Sequence, residues 1–265
     1  MNVIIFGLVA IALYLLVAAR AAGRTATAPA GLSLTSATGM LGLGAIVAHA
    51  VALYPMTMTS AGFNLGVFSA ASLIGWIVAV IAILSIARRA ATSLAIVVLP
   101  LAATTIALSL IFSNQHLVTD SPGIALHIAL SLIAYSLFTI ASLQAVYLAF
   151  AERRLKQHEP VMDALPPLPV MERNLFQLTA AAFILLSLGL LVGSIYIEDI
   201  RGQHLSHKIV FSLLAWSTFA VLLAGHQWWH WRGRRAVKFV IGGFVLLAVG
   251  YFGSKIALEL ILQRV

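Results

Sequence analysis

Apolar residues run along this chain in long blocks, and polar or basic residues gather at the breaks between them. Eight blocks can be marked, at about 3 to 19, 35 to 54, 63 to 87, 92 to 112, 124 to 150, 174 to 197, 207 to 230 and 236 to 260. A helix of roughly 20 such residues covers a hydrocarbon core of about 30 Å. The pattern predicts an all-α fold, a polytopic membrane helix bundle of about eight transmembrane helices forming one integral membrane domain over residues 1–265. His207 to Lys238 shows both faces of the bilayer in one segment. Its apolar interior closes on Trp228, Trp229 and Trp231, whose rings suit the headgroup layer, and then on Arg232, Arg234, Arg235 and Lys238.

Alternating the connections tests the arrangement. One side collects Arg20, Arg24, Arg88, Arg89, Arg153, Arg154, Lys156, Arg173, Arg232, Arg234, Arg235 and Lys238; the other holds Arg201, Lys208, Lys255 and Arg264. By the positive-inside rule the richer side faces the cytoplasm and both termini lie outside. Arg20 and Arg24 follow the first apolar block and no basic residue precedes it, so that block is expected to stay as a spanning helix. The longest polar connection, Glu152 to Arg173, contains Pro160, Pro166, Pro167 and Pro169 and reads as a stiff cytoplasmic linker. Pro100 is expected to kink the fourth span, and the pair Gly62 and Gly66 to mark close helix contact.

Composition narrows the function classes. Hydrophobic residues make up 62%, charged residues 9%, and the mean hydropathy is +1.03, which rules out a soluble domain. The net charge of +8 sits in short clusters at span ends, a topology signal and not a nucleic-acid face. There is no cysteine, hence no disulfide, no thiolate ligand and no covalent C-x-x-C-H haem attachment on this chain. No Ser-His-Asp or H-E-x-x-H pattern points to a membrane hydrolase. No Asp or Glu falls at mid-membrane, which weakens a proton-driven transporter. Lys255 and Glu259, four apart, read as a local ion pair.

The histidines are the ionisable groups placed where function would use them. His49 lies about one and a half turns from the outer end of the second span, and His127 about one turn inside the fifth, so the two are expected at similar depth on one side. His49 shares a face with Gly42, Ala45 and Ala52, small residues that would let a flat ligand approach. His127 shares a stripe with Ser131, Ala134, Tyr135 and Phe138. The bland alternative is that each histidine only packs, hydrogen-bonded to a neighbouring helix. His116, His204 and His207 fall in or beside outer connections. His226 and His230, four apart, are expected on one helical face as interfacial anchors beside the tryptophans, with His226 the deeper.

Several segments together resemble the cytochrome c assembly, or haem-handling, membrane proteins of the CcsA and CcmC type. Lys208, Trp216 and the run Trp231, Arg232, Gly233, Arg234 and Ala236 resemble the family's lysine, mid-helix tryptophan and G-W-x-G-R-x-A turn. LHIALSLIAY, Leu126 to Tyr135, resembles its outer histidine and following tyrosine, and AVGYFGSK, Ala248 to Lys255, is similar to the YpjD-like inner-membrane branch. The resemblance implies a multi-pass protein of the bacterial inner membrane that holds haem, b-type and non-covalent, for delivery to an apocytochrome or another assembly protein. His127 matches the first outer haem histidine, and His49 would be a counterpart on an early helix. His207, His226, Tyr135 and Lys208 are secondary cofactor-binding candidates, with Lys208, Arg201 or Lys255 available to propionates. Three features depart from the family pattern. Gly193 to His207 has no tryptophan, Ala224 stands where an intramembrane histidine is expected, and no second outer histidine follows the last span. The implied role is an assembly factor and not a complete, enzymatic haem lyase. The competing reading is a non-catalytic structural or partner-binding subunit, for instance of a transport system.

Overall fold

The computed structural model describes residues 2–25, 34–59, 62–85, 89–112, 117–118, 121–157, 167–196 and 206–253. In order they form α1 (Asn2–Thr25), α2 (Ala37–Thr57), β1 (Met58–Thr59), β2 (Gly62–Asn64), α3 (Val67–Leu84), α4 (Arg89–Ile111), β3 (Leu117–Val118), α5 (Pro122–Lys156), α6 (Leu168–Tyr196), α7 (Ser206–Trp229) and α8 (Arg234–Ala248). A π-helical turn, Val249–Gly253, continues α8. Among the described residues eight helices are long and apolar enough to cross a membrane. The expected all-α membrane bundle is therefore the observed fold. The chain divides into two compact units, one built on α1–α4 and the strands, the other on α5–α8.

In the first unit small residues let the helices approach. Ala10, Ala21, Ala45, Ala52, Ala79 and Ala95 are fully buried together with Tyr14, Ile83, Leu99 and Ile106. Without a hydrophobic drive between helices in lipid, such close packing and interhelical hydrogen bonds supply the association. Ser36 caps α2 by accepting from the Gly39 amide at 3.2 Å. The Trp76 indole of α3 donates to the Ile46 carbonyl of α2 at 3.0 Å. β1 and β2, at the α2–α3 connection, and β3, which follows α4, form a small three-stranded antiparallel sheet in the order β1-β2-β3, pairing Met58 with Phe63 and Phe63 with Val118. Asn64 fastens it, donating to the Met56 carbonyl at 3.1 Å and accepting from the Gly66 amide at 3.1 Å. No strand was expected. Segments of two or three residues are too short to show a period-two pattern.

In the second unit α5 and α6 run past the expected span ends, to Lys156 and from Leu168. The expected linker is thus partly helical at both ends. Pro167 precedes α6, and Pro169 lies in its first turn, where a missing amide hydrogen breaks no intrahelical bond. Pro160 and Pro166 lie outside the described residues. Arg153, Arg154 and Lys156 occupy the last turn of α5, where cations suit the carbonyl end. The core has two layers. One is mainly aliphatic, around Leu148, Met171, Leu175, Leu222 and Val240. The other is aromatic, with Phe138 stacked on Phe219 at 3.9 Å and 14° and with Tyr135, Phe183, Trp216 and Phe244 around them.

The α7–α8 turn is held from several directions. The Trp231 amide donates to the Gly225 carbonyl at 3.2 Å, and Gly233 adopts φ 56° and ψ −131°, a backbone that favours glycine. The Gly233 amide donates to Oε1 of Glu172 on α6 at 2.7 Å. A Cβ at Gly233 would also meet Glu152 Oε1 of α5 at 2.8 Å, so two carboxylates from two helices close around this turn. Trp228 and Trp229 are exposed beside it, and Arg235 lies over the Trp231 ring at 5.9 Å.

Candidate functional site

His127 is set in the second turn of α5, a helix that starts at Ser121 with Pro122 in its first turn, where proline is preorganised. Its Nδ1 lies 2.7 Å from the Gly189 carbonyl oxygen of α6. A carbonyl can only accept, so Nδ1 carries the hydrogen. In the neutral imidazole the lone pair is then on Nε2. The contact needs glycine opposite. A Cβ at Gly193 would fall 2.8 Å from both Cε1 and Nδ1 of His127, and one at Gly189 would sit 3.3 Å from Ser131 Oγ. Gly189 and Gly193, four apart, form a small-residue face on which His127 and Ser131 lie, and the ring stays half-buried.

Two turns further along α5, the Tyr135 ring meets Phe244 at 5.6 Å, Tyr251 at 6.0 Å and Phe252 at 5.7 Å. Its hydroxyl is buried and has no hydrogen-bond partner among the described residues. Deeper in the aromatic layer the Trp216 indole donates to Ser187 Oγ at 2.8 Å, and Ser187 donates to the Phe183 carbonyl at 2.8 Å. The mid-helix tryptophan singled out in the sequence thus ties α7 to α6.

His49, in the first unit, has a different environment. It is fully buried, with Nδ1 3.2 Å from the Tyr14 hydroxyl of α1 and Nε2 3.0 Å from Ser72 Oγ of α3. Either hydroxyl can donate or accept, so one tautomer satisfies both bonds and no ring nitrogen is left over. The small face beside it is filled by protein: Ile83 lies where a Cβ at Gly42 would come within 3.2 Å, and the Tyr14 ring meets His49 edge-on at 5.7 Å. His49 and His127 fall in different units.

His226 is half-buried, its ring stacked on Phe176 at 3.6 Å and 15°, and its Nδ1 donates to the Trp231 carbonyl at 3.0 Å. The expected pairing with His230 on one helical face does not occur. The helix ends at Trp229, and His230 takes φ 53°, turning the chain away. Among the described residues no group of three or more His, Asp or Glu could hold a metal ion. Lys208 is half-buried in the first turn of α7. The His207 side chain and residues Arg201, His116, His158, His204, Lys255 and Glu259 lie outside what the structure describes. Sequence reasoning missed the Gly189/Gly193 cradle, although its four-residue spacing opposite His127 was visible, and it missed Tyr14 and Ser72 as partners of His49.

Residues 37–262 match the family model of the cytochrome C assembly protein. The chain belongs to that family. It is 33% identical over 222 residues to the inner membrane protein YpjD of Escherichia coli K12, covering 82% of this chain and 84% of that protein. A 28.8 kDa protein of Azospirillum brasilense is 32% identical over 148 residues, 54% of this chain and 55% of its own. The cytochrome c biogenesis protein CcsA of a Synechococcus species is 26% identical over 122 residues, 40% and 35% respectively. No solved structure matches. Membership of the family points to a role in cytochrome c biogenesis, and the family is associated with haem handling.

Proposed function

We propose that the protein binds b-type haem non-covalently and handles it during cytochrome c assembly, with His127 as the residue that would hold the iron through Nε2. The observation that carries this is the 2.7 Å bond from Nδ1 to the Gly189 carbonyl. A histidine whose second nitrogen is fixed by a carbonyl has its tautomer and ring orientation set for a metal, and neutral imidazole is a suitable haem-iron ligand. The donor chemistry of this residue therefore fits the group. Haem, when bound, supplies the redox chemistry and the moiety to be delivered. The chain's own contribution is orientation of the imidazole by Gly189 and Gly193 and the aromatic surroundings in the second unit. The charge asymmetry of the connections supports a bacterial inner-membrane protein whose His127 end faces outward, toward an apocytochrome or another assembly protein.

His49 enters this reading differently. Both its nitrogens are engaged within the first unit, so ligation of iron there would require it to leave Tyr14 or Ser72. That observation favours a helix-packing role for His49. His207, His226 and Lys208 remain secondary candidates, of which His226 has one nitrogen engaged. The test is haem titration of the detergent-purified protein, followed by the Soret band. Wild type is expected to develop the band, His127→Ala to lose or shift it, and His49→Ala to keep it in whatever fraction stays folded. Absence of a Soret band in folded wild type would sink the haem proposal and favour the structural-subunit reading. An unchanged band in His127→Ala would sink the ligand assignment.

A further inference from the structure

Building on the haem reading, we infer that the Tyr135 hydroxyl is a ligand-contacting group, a hydrogen-bond donor to a polar peripheral group of a tetrapyrrole in the second unit. Packing alone does not explain a tyrosine here. Its hydroxyl is buried without a partner among the described residues, an arrangement that destabilises a folded chain. The surrounding layer is built from Phe138, Phe183, Phe219 and Phe244, and phenylalanine at 135 would fill the same space without the orphaned oxygen. Buried polar groups left unpaired by the protein are where a bound molecule finds its specific contact.

The backbone facing Tyr135 is a second, independent sign. Tyr251 and Phe252, which meet its ring, lie on the π-helical turn Val249–Gly253. Such turns are rare and cluster at functional sites. This one is seated firmly, since a Cβ at Gly250 would come 2.6 Å from Phe211 Cβ on α7. The chemical class follows from the distance to His127. Eight residues along α5 separate the two by about 12 Å, and because side chains on one helix all lean toward its N-terminal end, that separation is kept between the two side chains. A molecule touching both must be extended, as a macrocycle with its peripheral carboxylates is and a small anion is not.

Ser142 supplies a control. Its Oγ is also buried without a partner among the described residues, one heptad further along α5. Wild type, Tyr135→Phe and Ser142→Ala would be purified in detergent, melted without haem and titrated with haem. Both variants are expected to melt at or above wild type, since each removes an orphaned hydroxyl. Tyr135→Phe should bind haem at least tenfold more weakly, whereas Ser142→Ala should bind like wild type. Tyr135→Phe binding as wild type would overturn the contact and leave the haem reading standing. A haem-free Tyr135→Phe that melts well below wild type would also overturn it, because the hydroxyl would then have a partner within the fold. Wild type that takes up no haem would overturn both readings together.

Discussion

Gly193→Ala isolates the contact that orients His127. The new Cβ would sit 2.8 Å from two atoms of the imidazole, whereas relaxed carbon contacts begin at about 3.5 Å, so the ring must retreat by roughly 0.7 Å. That movement breaks or bends the 2.7 Å bond to the Gly189 carbonyl. Overpacking costs about 1–3 kcal/mol and the lost bond about 0.5–1.5 kcal/mol, against a gain of about 1 kcal/mol from replacing glycine within a helix. The balance is a destabilisation of about 0.5–3.5 kcal/mol, which at about 2–4 °C per kcal/mol lowers the melting temperature by several degrees. Gly242→Ala is the reference. A Cβ there meets nothing within 4 Å, so only the helix gain applies and the protein should melt slightly higher. Thermal unfolding in one detergent compares the two. The decisive arm repeats Gly193→Ala in a His127→Ala background, where the clash is gone and the substitution should become neutral or stabilising. If Gly193→Ala costs the same with and without the imidazole, the cradle is not what holds His127. Under the haem reading the same variant should also lose about 10–100-fold in haem affinity, the usual effect of disturbing an outer partner of a metal ligand.

Further expectations can be checked by the same melts. His49→Ala removes a fully buried ring and strands Tyr14 and Ser72, so it should cost about 2–5 kcal/mol; a stable variant that loses haem would make His49 a ligand after all. Glu172→Ala deletes the acceptor of the Gly233 amide and should cost about 1.5–3 kcal/mol, with Glu172→Gln recovering part of it. Gly243→Ala would place a Cβ 2.6 Å from the Phe219 ring and should melt lower than Gly242→Ala, a difference that vanishes if the aromatic layer is loose. Trp216→Phe breaks the 2.8 Å bond to Ser187 and should cost about 0.5–1.5 kcal/mol.

The spans were legible because an apolar block of helical length has few alternatives. Their ends were not: α5 continues through charged residues to Lys156, since a helix has no reason to stop where a bilayer does. His127 could be found as a candidate from its depth and its neighbours, and Gly-x-x-x-Gly on α6 was there to be matched with it. The surroundings of His49 could not be read. Tyr14 and Ser72 are lone polar residues in other apolar runs, 35 and 23 positions away, and nothing local says which face of which helix they meet. The Gly42 and Ala45 face looked open to a flat ligand because sequence shows the gap and not the Ile83 that fills it. His230 went wrong for a similar reason, since only the backbone reveals that α7 stops one residue before it.

The carboxylate of Glu172 on the Gly233 amide has a consequence for how the chain is made. The α7–α8 hairpin closes on itself through bonds spanning five or six residues, Gly225 and His226 to Trp231, and can form as soon as it leaves the ribosome. Its fastening to α6 spans 61 residues and needs α6 already in place. The second unit is thus built to be completed from its last hairpin, and a truncation that removes α8 should leave α5 and α6 inserted but with Glu172 still waiting for its amide.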